Sequence, residues 1–303
     1  MRLRDALRFV ARDPSRPGSI PFERGGGVGV DFDTGFARRD AARVARALVL
    51  DGVVLPGVRA VTRPRVVGGE ILETLDEPVV FVANHQSHLD TPVVLAVLPP
   101  RLRHRTVVGA GADYFFDRRS KALASALLLG AIPIERQRVS RRSAELAERL
   151  VREGWNLLLF PEGGRTPDGL PQEPKAGAAQ VAVRTGRPVV PVFIDGTWEI
   201  LGKGQRRLRP SETTIVIGQP LRAVAHERPG AFTERIAAAL ALGGREAATD
   251  FWAARRTKSS FVPTRRSWIE FWERSAHRHR DDGARPWPRA FGSRARREED
   301  DLR

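Results

Sequence analysis

The run Val79-Val80-Phe81-Val82-Ala83-Asn84-His85-Gln86-Ser87-His88-Leu89-Asp90 decides how this chain folds. Its first five residues are apolar, and Val and Phe dominate them, which marks a buried strand. A polar loop follows at once, and residues 91–97 then carry a helical pattern. A buried strand that feeds a helix is the repeating half of a parallel sheet covered by helices.

The alternation continues on either side. Short apolar runs at residues 65–67, 78–83, 106–109, 132–134, 156–160, 189–194 and 213–217 are bounded by Gly, Pro or charge and read as buried strands. Helical patterns occupy 120–129, 140–153, 177–185 and 232–241. The expected fold class is α/β, a mostly parallel mixed sheet flanked by helices. Three regions are expected: an irregular N-terminal segment with an amphipathic helix (1–60), the α/β domain (61–245) and a basic, Trp-rich extension (246–303). Four of the six Trp, namely Trp252, Trp268, Trp272 and Trp287, fall in that extension, which reads as one or two helices and a disordered end.

Composition narrows the chemistry. The 303 residues are 41% hydrophobic, enough for a real core, and contain no Cys. That excludes a disulfide scaffold, a thiolate nucleophile and any Cys-ligated metal. The net charge of +15 favours anionic partners, although much of it reflects a general preference for Arg. No nucleic-acid-binding motif is present and the basic residues are spread along the chain, so no nucleic acid is expected. The first ten residues lack a continuous apolar core, and no run approaches the ~18–20 apolar residues of a spanning helix. Residues 36–60 carry Arg38, Arg39, Arg43, Arg46 and Arg59 among Leu48, Val49, Leu50, Val53 and Leu55, with a break expected at Pro56-Gly57. This stretch reads either as a helix capping the domain or as one lying on a membrane.

In open α/β sheets, ligands sit at the carboxyl ends of strands. His85 lies there, and Asp90 follows Ser87 by three residues, as in a capping box with Ser87 as N-cap. A carboxylate at that helix start can accept a hydrogen bond from one imidazole nitrogen and leave the other basic. The same residues fit a plain helix cap and a loop histidine. A metal reading of His85, His88 and Asp90 lacks a further ligand cluster to complete it. The second motif, Phe160-Pro161-Glu162-Gly163-Gly164-Arg165-Thr166, again follows an apolar strand. Its glycines allow close backbone approach, and Arg165 offers a planar fork for phosphate or carboxylate.

Together these blocks resemble the glycerolipid acyltransferases. His85 and Asp90 match the family's His-x-x-x-x-Asp, and Phe160–Thr166 is similar to its Phe-Pro-Glu-Gly-Thr-Arg-Ser. Gly130-Ala131-Ile132-Pro133-Ile134-Glu135-Arg136, Lys175-Ala176-Gly177 and Val190-Pro191-Val192 resemble three further family blocks, in the family's order. Gly164 replaces the usual Thr, and Pro133 replaces an aromatic.

The resemblance implies acyl transfer from acyl-CoA or acyl-carrier protein to the hydroxyl of a lysophosphatidic acid-like lipid, giving phosphatidic acid. His85 would be the general base, oriented by Asp90. Arg136, Arg165 and Lys175 would hold the phosphate, and Glu162 and Gly163 would join the acceptor site. An internal ion pair between Glu162 and Arg165 is the other reading of Glu162. Glycerol 3-phosphate or another lyso-lipid is the alternative acceptor, and a non-catalytic protein binding anionic membrane or nucleic acid is the alternative class. Such thioester chemistry needs no metal or redox cofactor. A cytoplasmic protein peripheral to the inner face of the cell membrane is the expected setting. An α/β hydrolase is excluded for want of a Gly-x-Ser-x-Gly elbow.

Overall fold

The computed structural model describes residues 27–136, 141–249 and 254–255. The chain divides into a unit spanning Met1–Pro263 and a second, Thr264–Arg303, which lies outside the described residues, as do Trp252, Trp268, Trp272 and Trp287. In the first unit, β1 (Pro64–Val67), β2 (Val80–Ala83), β3 (Thr106–Gly111), β4 (Ala131–Ile134), β5 (Asn156–Leu159), β6 (Val189–Asp195) and β7 (Thr213–Ile217) form one sheet. The strand order is β1-β7-β6-β2-β5-β3-β4. All neighbours are parallel except β6 and β7, so the sheet is mixed and mostly parallel.

The principal helices are α1 (Asp40–Val49), α2 (Leu55–Thr62), α3 (Asp90–Val97), α4 (Arg119–Leu129), α5 (Arg141–Arg152), α6 (Gly177–Thr185) and α7 (Pro229–Ala248). Strand alternation splits the core in two. Phe81, Val108 and Leu158 face Leu55 of α2 and Val93 and Leu95 of α3. Val80, Val82 and Leu157 face Leu150 of α5, Val181 of α6 and Phe232 of α7. Phe81 is fully buried, and burial of such a side chain contributes about 1.5–3 kcal/mol. Because β2 lies between β5 and β6, its carboxyl end opens in the interior of the sheet, away from both edge strands.

The N-terminal helices depart from the sequence expectation in two ways. Pro56-Gly57 does not break them: a π turn, Leu50–Val54, joins α1 to α2, and Pro56 sits in the first turn of α2. Pro is tolerated in a first turn, where a missing N–H costs least. Asp51 in the π turn is gripped by Arg103 at 3.1 Å and His104 at 3.0 Å. The second departure concerns polarity. Arg38, Arg43 and Arg46 are buried, whereas Leu48, Val49 and Val53 are exposed. Arg46 donates to the carbonyl of Ala126 at 3.4 Å, and Arg43 lies 5.4 Å over the Trp155 ring. Desolvation lowers the pKa of Arg38 and of Arg46 to about 10. These cations are therefore not displayed to an outside surface.

Candidate active site

The loop after β2 is tied down from all sides. Asn84 extends the sheet by one side chain: its amide donates to Ile194 O at 2.8 Å, and its carbonyl accepts from Ile194 N at 2.7 Å. Asp90 is fully buried, with the His85 ring above it. Its Oδ2 accepts from His85 Nδ1 at 2.8 Å, from Gln86 N at 2.6 Å and from Ser87 N at 2.8 Å. Oδ1 accepts from the Thr197 hydroxyl at 2.5 Å. A carboxylate that receives Nδ1–H fixes the tautomer in which Nε2 is the basic nitrogen.

The capping expectation holds in one half. Asp90 does reach back to the loop amides. The helix, however, starts at Asp90 with Leu89 as N-cap. The Ser87 hydroxyl donates to Leu201 O at 2.7 Å and accepts from Leu89 N at 3.2 Å. A hydroxyl donates and accepts at once, so Ser87 serves both the Leu201 carbonyl and an amide at the helix start.

The loop after β5 clasps the histidine. Phe160 stacks on the His85 ring with centroids 4.2 Å apart. Glu162 Oε1 accepts from His85 N at 3.0 Å, and Thr166 N donates to His85 O at 2.9 Å. Glu162 is buried, its Oε2 has no hydrogen-bond partner, and burial raises its pKa well above the usual carboxylate range, more than the amides of His85 and Gln172 lower it. Gly163 sits at φ +75°, and a Cβ there would come 2.8 Å from Lys175 Nζ, so the turn needs glycine. Its N–H donates to Phe160 O at 3.1 Å.

A cavity of about 400 Å³ opens beside His85, within the range of small-ligand sites. It wraps the carboxyl ends of β3 and β4. Val108, Ala110 and Leu129 line it on one face of the sheet, and Ile134, Leu159 and Val181 on the other. Most of the wall is apolar, and the charged groups gather at one place. There Arg136 forms a two-pronged pair with Asp113, at 2.9 and 2.6 Å, and Lys175 Nζ donates to Arg136 O at 2.8 Å. The bonds from Arg136 hold the Asp113 carboxyl below its ordinary range. Gly111 makes room, because a Cβ there would overlap the Arg136 side chain. His88 also lines the cavity and stacks on Tyr114 at 5.6 Å. Burial first, then the Arg165 charge, depress its pKa to about 4.

His85, Arg136, Gly163 and Lys175 thus share one cavity wall. Glu162 faces the histidine loop, and no ion pair joins it to Arg165 among the described residues. Arg165 is half-buried, close enough to His88 for its charge to be felt there. Among the described residues no group of three or more His, Asp or Glu is arranged to hold a metal ion.

A family model described as Acyltransferase matches residues 63–195. Those residues are similar to an acyltransferase domain. The matched span runs from the start of β1 to the end of β6 and includes His85, Asp90 and the Phe160–Thr166 loop. A 1-acyl-sn-glycerol-3-phosphate acyltransferase of Chlamydomonas reinhardtii is 34% identical over 166 residues, 52% of this chain and 46% of that protein. The chloroplastic BAT2 enzyme of that name from Brassica napus is 30% identical over 164 residues, 51% of this chain and 44% of that one. The chain therefore spans about half the length of the curated relatives it matches. The crystal structure of the 1-acyl-sn-glycerophosphate (LPA) acyltransferase PlsC from Thermotoga maritima shares the fold, with a TM-score of 0.53 at 23% identity, covering 67% of this chain and 80% of that one.

Two residues that serve the site escaped sequence reasoning. Thr197 follows the end of β6 and reaches Asp90 only because β6 lies beside β2. Asp113 follows the end of β3 and meets Arg136 because β3 pairs with β4. The signal available in the sequence was position: both lie just past the carboxyl end of a strand, where a parallel sheet gathers its functional groups.

Proposed function

We propose that this chain transfers an acyl group from a thioester, acyl-CoA or acyl-carrier protein, to the hydroxyl of a lysophosphatidic acid-like acceptor, giving phosphatidic acid. One observation carries the reading: the His85–Asp90 pair opens onto a largely apolar cavity that has Arg136 and Lys175 on its wall. An apolar wall suits an acyl chain, and clustered cations suit a phosphate. The names of the relatives point the same way.

In the proposed reaction His85 Nε2 takes the proton of the acceptor hydroxyl as its oxygen attacks the thioester carbonyl. The tetrahedral intermediate collapses, the C–S bond breaks, and the imidazolium returns its proton to the departing thiolate. Asp90 stabilises the imidazolium while it exists. The chemistry resides in residues 61–245 in this reading, and the protein works at an anionic membrane surface, on the cytoplasmic side, without crossing it. No described helix is long and apolar enough to span a bilayer.

The test is thioester consumption by the full chain with and without lysophosphatidic acid. Consumption that depends on that acceptor and disappears in His85→Ala is the expected result. Consumption with glycerol 3-phosphate instead would move the acceptor assignment, and no consumption with any hydroxyl acceptor would end the acyl-transfer reading.

A further inference from the structure

Helix α4 is inside out. It buries its small residues, Ala122 and Ala126, and exposes Leu123, Leu127 and Leu128, which are 44%, 38% and 42% accessible. A helix on a water-facing surface does the reverse, turning leucines inward. The neighbouring α1 is packed against α4 through the Arg46–Ala126 bond and shows the same inversion. Its arginines point in, while Leu48 and Val49 point out, followed by Val53, 70% accessible, in the π turn. Scattered exposed leucines need no explanation, but two packed elements that both expose their large apolar residues mark an interaction surface.

Two further observations say what covers it. Arg118, Arg119 and Lys121 are exposed at the start of α4, with Asp117 as the acid among them. Cations beside leucines suit an anionic headgroup layer above hydrocarbon. The helix also borders the cavity: Ser125 and Leu129 line it, and Tyr114, just before α4, is both cavity wall and 45% accessible surface.

We propose that α4, together with the outward side of α1, is the surface by which this protein seats on an anionic lipid bilayer. Leu123, Leu127 and Leu128 enter the acyl layer, and Arg118, Arg119 and Lys121 meet the headgroups. The cavity then opens toward the bilayer beside α4, so an acyl chain reaches His85 without crossing water. This last step rests on the acyl-transfer reading, whereas the docking itself does not. It also moves the basic part of the contact from the buried Arg43 and Arg46 of α1 to Arg118, Arg119 and Lys121.

The test uses the full chain and flotation with vesicles of phosphatidylcholine, with and without phosphatidylglycerol. Wild type is expected to float with the anionic vesicles, less at high salt. Leu123→Glu/Leu127→Glu should lower the bound-to-free ratio at least about tenfold, because each charge must leave water to enter the hydrocarbon. Leu208→Glu, an exposed leucine on another loop, should change nothing. Thermal unfolding checks that each variant is folded, and Leu123→Gln/Leu127→Gln gives a milder form of the same test. A folded Leu123→Glu/Leu127→Glu protein that floats like wild type overturns the proposal. So does loss of self-association in that variant, read by light scattering, with vesicle binding unchanged, which would make the face an interface between copies. Turnover of a short-chain acceptor below its micelle concentration, without vesicles, should survive in the variant. Wild type that floats but turns over no acceptor leaves the docking surface standing and removes the acyl-transfer reading.

Discussion

Asp90 holds the His85 ring at 2.8 Å through the same oxygen that accepts the amides of Gln86 and Ser87. One buried carboxylate thus shapes the loop and orients the base. His85→Ala is expected to lower kcat by ~10²–10⁴-fold with the fold intact, since a positioned general base contributes about that much. Asp90→Asn should cost less. Its carbonyl can replace Oδ2 for the three donors, its amide can donate to the Thr197 hydroxyl, and the stabilising charge is what disappears. Steady-state kinetics at equal folded fraction decide this, and wild-type kcat in His85→Ala would remove the general-base role.

Glu162 is expected to act on the position of His85 from behind the loop, through the His85 N–H. Glu162→Gln retains the acceptor and should keep kcat within about tenfold, whereas Glu162→Ala leaves a buried N–H unpaired, a loss of ~1–3 kcal/mol. KM for the acceptor should stay unchanged in both. Burial raises the carboxyl pKa in the folded protein, so folding binds a proton there. The associated stability is present at low pH and is lost as pH rises through the folded pKa. Unfolding midpoints of Glu162→Gln should therefore fall less on the alkaline side than those of wild type. Parallel curves for the two proteins would contradict a perturbed Glu162.

Arg136 is already paired with Asp113 at 2.9 and 2.6 Å, so an acceptor phosphate has to compete for it. Asp113→Asn is expected to lower the acceptor KM by a few-fold, the scale of an exposed ion pair of ~0.2–1 kcal/mol. Arg165 has no such competitor among the described residues, and Arg165→Ala should raise the acceptor KM by about 10–100-fold, the scale of a charge-assisted hydrogen bond. Should the thioester KM rise instead, Arg165 belongs to the donor site.

His88 is depressed from 6.5 to about 4 by burial and by Arg165. Between those values the unfolded chain binds the proton and the folded one does not, so this residue contributes stability above about pH 6.5 that is lost as pH falls toward 4. His88→Gln cannot titrate and should show a shallower acid loss of the unfolding midpoint than wild type. Identical acid limbs would mean that His88 is not buried beside Arg165.

The strands and their polarity were legible because burial on both faces demands unbroken apolar runs such as Val79–Ala83, whatever their partners. The His85–Asp90 pairing was legible for a similar reason: five residues of loop and helix start bring the two together by local geometry. At the same site the N-cap falls on Leu89 in place of Ser87, and the bond from the Ser87 hydroxyl to Leu201, more than a hundred residues away in sequence, had no local signal. The roles of Thr197, Asp113 and Glu162 came only with the strand order β6-β2-β5-β3-β4, which no single segment encodes. The inversion of α1 and α4 was hidden more deeply. A helical pattern gives the angle between its apolar and charged faces but not which face turns inward. Here Arg46 finds the Ala126 carbonyl and Arg43 the Trp155 ring, partners that exist only once the chain has folded, and the leucines are left outside.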